Sequence, residues 1–323
     1  MVLTHLKIAS LNCCGLNDRY KRVFIFDYFR KSSFSVILLQ ETKTNVRDEN
    51  RFRMDWHNNK IFINSSGSNS AGGCLVLINN DHIKVLNSIL ACNGRCIVLD
   101  IELDGCRYHL INTYFPIENS EKKSFIISLY PLISSNYPII WAGDFNLTLD
   151  TQLDRFPAQK TKDPYSYNLS QLIKTFDLKD VFRELFPSKR VFTFKRGTSK
   201  SRIDRAYVSS NVIVTKYEQE IFSLSDHDLI KVDVIFQNNE TKGRGIWKNK
   251  SKMYAEEDFG EKFENFWEYH LKNSKKEVND IGWWLVTKKK IKKFLTEFEE
   301  IKKNGDEIEI RNLKISLERK KNT

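Results

Sequence analysis

The chain has no long hydrophobic run. Its longest apolar stretches, Val36 to Leu39 and Pro138 to Ala142, fall far short of the roughly 20 residues that span a bilayer as a helix. A membrane partner is therefore not expected. The opening "MVLTHLKIASLN" lacks a basic segment followed by an apolar leader, which argues for an intracellular protein. Without a secretory signal, the six cysteines, all in the first third of the chain, read as reduced thiols rather than a disulfide framework. Cys92 and Cys96 form a C-x3-C pair, but no second Cys or His pair follows at zinc-finger spacing. Internal repeats and low-complexity tracts are missing too, apart from a lysine enrichment near the end.

What the sequence does hold is basic charge. Lys and Arg number 52 against 41 Asp and Glu, a net +11, and an excess of this size favours a polyanionic partner. Over residues 1–236, strand-like stretches ("LKIASLN", "SVILLQE", "GCLVLIN", "RCIVLDIEL", "YHLINTYF", "PIIWAGD", "RIDRAYVS", "LIKVDVIF") outnumber helix-like ones. The two clear helices are "RYKRVFIFDYFRKS", behind an Asn17 or Asp18 cap, and "YNLSQLIKTFDL". Several links are too short for a helical crossover, so mixed or antiparallel sheets are expected. Residues 237–250 read as a polar linker. Residues 251–323 read as a basic, helical tail in which Trp284, Ile291, Phe294, Leu295, Phe298 and Ile301 recur at helical spacing.

Three apolar strands end in groups that are costly to bury: Asn12, Glu41, and the pair Asp144 and Asn146 in "IIWAGDFN". If the chain stays extended through "GDFN", period-2 alternation puts Asp144 and Asn146 on one face and Phe145 in the core. Gly143 would let the backbone approach closely. Acid and histidine recur in "SRID" (Asp204) and "SLSDHD" (Asp226, His227). Were Glu41, Asp144, Asp204 and Asp226 to converge, they would repel one another and call for a divalent cation, with oxygen donors favouring Mg2+ or Mn2+ over zinc. Such a site suits phosphodiester hydrolysis.

"SLN", "LLQET", "NTYFP", "GDFN", "SRIDRAYVS" and "LSDH" occur in that order along residues 5–236. In this the chain resembles the endonuclease/exonuclease/phosphatase superfamily of Mg2+-dependent phosphoesterases. "LDR" at 153–155, "VFTFKR" at 191–196 and "GRGIWKNK" after the domain make it most similar to the endonuclease domain of non-LTR (LINE-type) retrotransposon polyproteins. The resemblance implies a four-layer α/β sandwich of two mostly antiparallel sheets flanked by helices, extended here by the helical tail. It also implies a DNA endonuclease that nicks one strand and leaves a 3'-hydroxyl. The implied location is the nucleus. An abasic-site repair endonuclease is the alternative enzyme, and a catalytically weakened relic that only binds nucleic acid is the alternative of another class.

By the same resemblance, Glu41 binds the metal with Asn12 and Asp226 beside it. Asp144 activates water, Asn146 and His227 hold the scissile phosphate, Asp204 pairs with His227, and Tyr114 stabilises the leaving group or phosphate. Thr193 and Arg155 become phosphate or DNA contacts on the rim. The basic stretch 188–202, with Lys195, Arg196 and Arg202 around Phe192 and Phe194, reads as a hairpin for a DNA groove. The lysine-rich tail offers a contact for RNA. Two positions depart from the family pattern: Cys14 stands where a second polar or acidic group is common, and Ile117 where an Asn is common. Neither belongs to the main catalytic set, so activity is expected. The sequence leaves oligomeric state open.

Overall fold

The computed structural model describes residues 3–57, 60–66, 72–237, 254–273, 283–284, 286–299 and 302. Two compact units make up the chain, Met1–Asn239 and Glu240–Thr323.

The first unit contains two six-stranded sheets. One runs β14 (Ile213–Glu220), β15 (Leu229–Gln237), β1 (Leu3–Asn12), β2 (Val36–Gln40), β4 (Cys74–Ile78), β3 (Ile61–Asn64); the other runs β10 (Leu178–Asp180), β13 (Asp204–Ser209), β8 (Ile139–Asp144), β7 (Cys106–Tyr114), β6 (Cys96–Leu103), β5 (Lys84–Ala91). Both are mixed. β1 and β2 pair in parallel, as do β7 and β8, and the other neighbours are antiparallel. A small third sheet joins β11 (Phe194–Arg196), β12 (Ser199–Ser201) and β9 (Arg155–Phe156).

Alternation along the strands explains the layering. On β1, Leu6 and Ile8 point into a core shared with Leu99, Leu110, Ile140 and Ala206 of the facing sheet. Ala9 and Leu11 point the other way. There they meet Ile25, Phe26 and Phe29 of α1 (Arg19–Arg30) and Phe52 and Trp56 of α2 (Glu49–Trp56). The outer face of the second sheet is covered in the same manner by α3 (Asn119–Ile133) and α4 (Ser166–Thr175), with Phe115 set edge-on to Phe125 of α3 at 4.8 Å. α5 (Val181–Leu185) leads away from β10. Helix, sheet, sheet, helix is the four-layer sandwich the motif order implies.

Capping and polar staples fix the details. Asp18, not Asn17, caps α1 by accepting the amide of Lys21. Between the sheets, Gln40 donates to Asn112 Oδ1 at 2.8 Å and to Ser10, while Asn112 donates to the carbonyls of Leu39 and Leu75. This buried bridge sets the spacing of β2 against β7, and so the positions of the residues that follow each: Glu41 after one, Tyr114 at the end of the other.

In the second unit, α6 (Phe259–Asn273) packs Phe259, Phe263 and Phe266 against Phe294 and Phe298 of a helical stretch over 286–299. Leu295 and Phe298 are buried, as their helical spacing predicts, whereas Trp284 is largely exposed. Ile301 and the linker beyond Gln237 lie outside the described residues. No helix among the described residues is long and apolar enough to cross a membrane.

Candidate active site

The strand ends β1, β7, β8 and β13 come together at one edge of the sandwich. β8 reaches it through a position open only to glycine: a Cβ on Gly143, at φ +153°, would lie 2.0 Å from the carbonyl oxygen of Thr113 on the neighbouring strand. Asp144 pairs in register with Asp204 of β13 and with Tyr114 of β7. The chain does not stay extended beyond it. The Asp144 carboxylate accepts the Asn146 amide at 2.9 Å and Asn146 takes φ +46°, an Asx turn that ends the strand. Phe145 is fully buried among Phe115, Trp141 and Tyr207, each ring within 5.2 Å, so the turn has the apolar anchor expected of it.

Asn12 is the hub. Its amide donates to Glu41 at 3.1 Å and to Asp144 at 2.9 Å, tying two carboxylates from opposite sheets. Glu41 sits at φ +50° and also pairs with Lys43 at 3.2 Å. Asp144, Asp204 and His227 each offer a ligand atom within 4.8 Å of the others. Burial first, then the Asp204 charge, raises the Asp144 carboxyl above the ordinary carboxylate range. A carboxylate so perturbed is a better proton acceptor than a free one.

His227 Nδ1 faces both Asp204 oxygens at 2.9–3.0 Å, so that nitrogen donates and Nε2 is directed elsewhere. Burial alone would lower its pKa, but the adjoining Asp204 carboxylate outweighs burial and lifts it to about 10. The ring is cationic at neutral pH. Tyr114 is buried, and burial together with Glu41 and Asp144 pushes its phenol up, leaving the hydroxyl protonated as a donor. One amide hydrogen of Asn146 is spent on the Phe115 carbonyl at 2.9 Å, and the second is left for another acceptor.

The remaining expected residues divide. Thr193 is fully buried, not on a rim; its hydroxyl donates to Asp204 at 2.6 Å and accepts the amide of Asp204 at 3.1 Å. Arg202 is likewise not a surface group. It is 1% exposed and bound to Asp154 and Asp180, so its guanidinium is satisfied inside the protein and out of reach of a surface phosphate. Arg155 is half-buried and paired with Asp163 at 2.7 Å. Lys195 and Arg196 are exposed on the β11–β12 hairpin, Lys195 near Asp228 at 3.2 Å. Asp226 is exposed beside His227 and Cys14 rather than within the buried cluster. Cys14 and Ile117 are both exposed.

Two further residues join the site. Ser225 donates to the Asn12 carbonyl at 2.6 Å and accepts the His227 amide at 3.1 Å, linking the hub to the histidine. Its signal was present, since it is the serine of "LSDH". Phe194, which the sequence marks only as part of the basic hairpin, lies against the His227 ring at 4.7 Å.

Acceptors and one cationic imidazole thus gather at one shared edge of the two sheets. The chain belongs to the Endonuclease/Exonuclease/phosphatase family, which it matches over residues 9–227. It is 28% identical over 302 residues to the Transposon TX1 uncharacterized 149 kDa protein of Xenopus laevis, covering 91% of this chain but only 23% of that protein. Among solved structures it is similar to an AP endonuclease from Leishmania major (TM-score 0.58, 19% identity, 71% of this chain and 87% of the other). An AP endonuclease from Archaeoglobus fulgidus gives the same TM-score at 18% identity, over 72% and 99%.

Proposed function

We propose that the chain is a divalent-metal-dependent DNA endonuclease that nicks one strand and leaves a 3'-hydroxyl, as the priming step of retrotransposition requires. The observation that carries this reading is the joining of Glu41, Asp144, Asp204 and His227 through Asn12 and short contacts at one sandwich edge. The similarity to a transposon protein supports the mobile-element setting and with it a nuclear site of action.

The donors fit a metal ion. Crowded carboxylate oxygens, one driven up by burial and by its neighbour's charge, form a hard-oxygen set suited to Mg2+ or Mn2+. Glu41 would hold the ion, with Asn12 orienting Glu41 and Asp226 adding charge from the rim. When bound, such an ion polarises phosphoryl oxygens and offsets the charge that builds on them.

The protein's own groups do the rest. Asp144 takes the proton of the attacking water. His227, cationic and fixed by Asp204, donates from Nε2 to a non-bridging phosphate oxygen, and Asn146 supports the same phosphate with its second amide hydrogen. Tyr114 donates to the leaving oxygen. Thr193 and Ser225 position Asp204 and His227 rather than touch substrate. Residues 1–236 form the nuclease domain, and Arg155, Lys195 and Arg196 line the DNA approach.

The test is a supercoiled-plasmid assay with end mapping. Nicked circles with polymerase-extendable ends, formed with Mg2+ and lost with chelator or in Asp144→Ala, are expected. Cutting of an abasic oligonucleotide with intact plasmid spared would mark a repair-type enzyme instead. Metal-independent or absent cutting would refute both.

A further inference from the structure

The second unit carries a surface that the nuclease reading leaves unused. Over 286–299 one helical face is spent on the aromatic packing described above: Thr287 is buried against His270 (2.8 Å), and Leu295 and Phe298 are buried in the apolar cluster. The other face exposes Lys288, Lys289, Lys290, Lys292 and Lys293. Helical geometry sets Lys288 beside Lys292 and Lys289 beside Lys293, like-charge neighbours that weaken a helix. Lys293 pairs with Glu297 one turn later at 3.6 Å. On neighbouring α6, Lys262 and Lys272 pair with Asp258 and Glu268 one turn earlier.

Next to this face stands an exposed indole. Trp284 is 44% exposed, stacked on Trp283 at 6.4 Å, with the Lys288 ammonium 5.4 Å from its ring. A flat aromatic surface flanked by cations is what an unpaired base and its phosphates require. A lipid surface would need an apolar face to insert, and that face is occupied by α6.

We infer that Trp284 and Lys288, Lys289, Lys292 and Lys293 form a binding site for single-stranded nucleic acid, separate from the duplex handled by the nuclease unit. The phosphates lie along the lysines and a base stacks on the indole. Duplex DNA, whose bases are paired, is not its ligand.

The test uses the full chain with fluorescent oligonucleotides of roughly 16 nucleotides, as RNA and as DNA of one sequence, titrated across salt. Changing the four lysines to Gln should weaken binding at least tenfold and flatten the log–log salt slope by about 2–3, from the roughly 0.7 that each single-strand phosphate contributes. Trp284→Ala should weaken binding about tenfold with the slope unchanged, because stacking releases no counterions. Stronger binding of RNA or of DNA identifies the sugar, and either supports the site. Variants folded by circular dichroism that bind like the parent would overturn it. So would a parent chain that prefers duplex, or phosphatidylserine vesicles, to both single strands.

Discussion

Asp154 offers the sharpest test of how the protein holds its basic hairpin. The carboxylate is buried and meets three guanidiniums: Arg202 at 2.8 Å, Arg205 at 3.7 Å, and Arg183. Burial pushes its pKa up, but Arg205, Arg202 and Arg183 prevail and hold it at about 2 against the usual 3.8. That difference corresponds to about 2 kcal/mol of stability. Because the folded value is the depressed one, the contribution is complete above the unfolded pKa and is lost as pH falls from about 4 through about 2. Asp154→Asn should cost more than this linkage term. Arg205 is enclosed, and Arg202 would keep only Asp180, so roughly 3–5 kcal/mol is expected from stranding buried cations. In a domain of this size that lowers Tm by roughly 10 °C. The measurement is thermal or urea unfolding of parent and variant from neutral pH down to about 2, and the gap between the two should narrow across the acid window. A variant within about 2 °C of the parent at neutral pH, or a gap that stays constant on acidification, would refute the argument. Arg202→Met should likewise lose stability while leaving the salt slope of duplex binding unchanged. A slope smaller by about 0.9 would return Arg202 to the DNA surface.

Asp144→Ala should lose nicking by about a hundredfold or more, the scale of one transition-state contact. Its Tm should shift little, since relief of a carboxylate disfavoured by burial and Asp204 offsets the lost hydrogen bonds from Asn146 and Asn12; a large fall in Tm would make the loss structural. Ser225→Ala removes two hydrogen bonds and should cost about 2 kcal/mol. It should also cut kcat about tenfold with KM steady, because the Asn12 to His227 link is broken; equal kcat would reduce Ser225 to a structural role. Gln40→Leu should destabilise by roughly 2–3 kcal/mol by orphaning the buried Asn112 oxygen. Gln40→Leu with Asn112→Leu should recover part of that in urea unfolding, and strictly additive losses would contradict the inter-sheet bridge.

Much of the fold was legible because its central strands are buried on both faces or alternate cleanly, as Leu6, Ile8, Ala9 and Leu11 do. What escaped notice has weak periodicity for physical reasons. β5 and β14 are sheet-edge strands whose side chains are mostly exposed, so neither shows an apolar face. α2 is eight residues with only Phe52 and Trp56 buried, and α3 runs through Pro131 with a nearly continuous apolar stretch. The candidate site was legible to a greater degree, because a costly polar group at the end of an apolar strand has to be there for a reason, and Asn12, Glu41 and Asp144 all fit that description. Local sequence fails where a distant partner decides. Arg196 and Arg202 sit six residues apart in one basic hairpin, yet one is exposed and the other buried. The difference is Asp154, 48 residues before Arg202 in the chain and 2.8 Å from it in space. Thr193 follows the same logic through Asp204. The backbone of "GDFN" is not extended as period-2 alternation requires, because the Asp144 carboxylate itself captures the Asn146 amide and turns the chain. The carboxylate that ends the strand is thus also the group that bends it, and a single side chain sets both the chemistry and the local geometry. That is why Asp144→Asn is a stricter probe than Asp144→Ala. The amide oxygen can still accept from Asn146 and keep the turn, so activity lost in that variant must be lost with the charge.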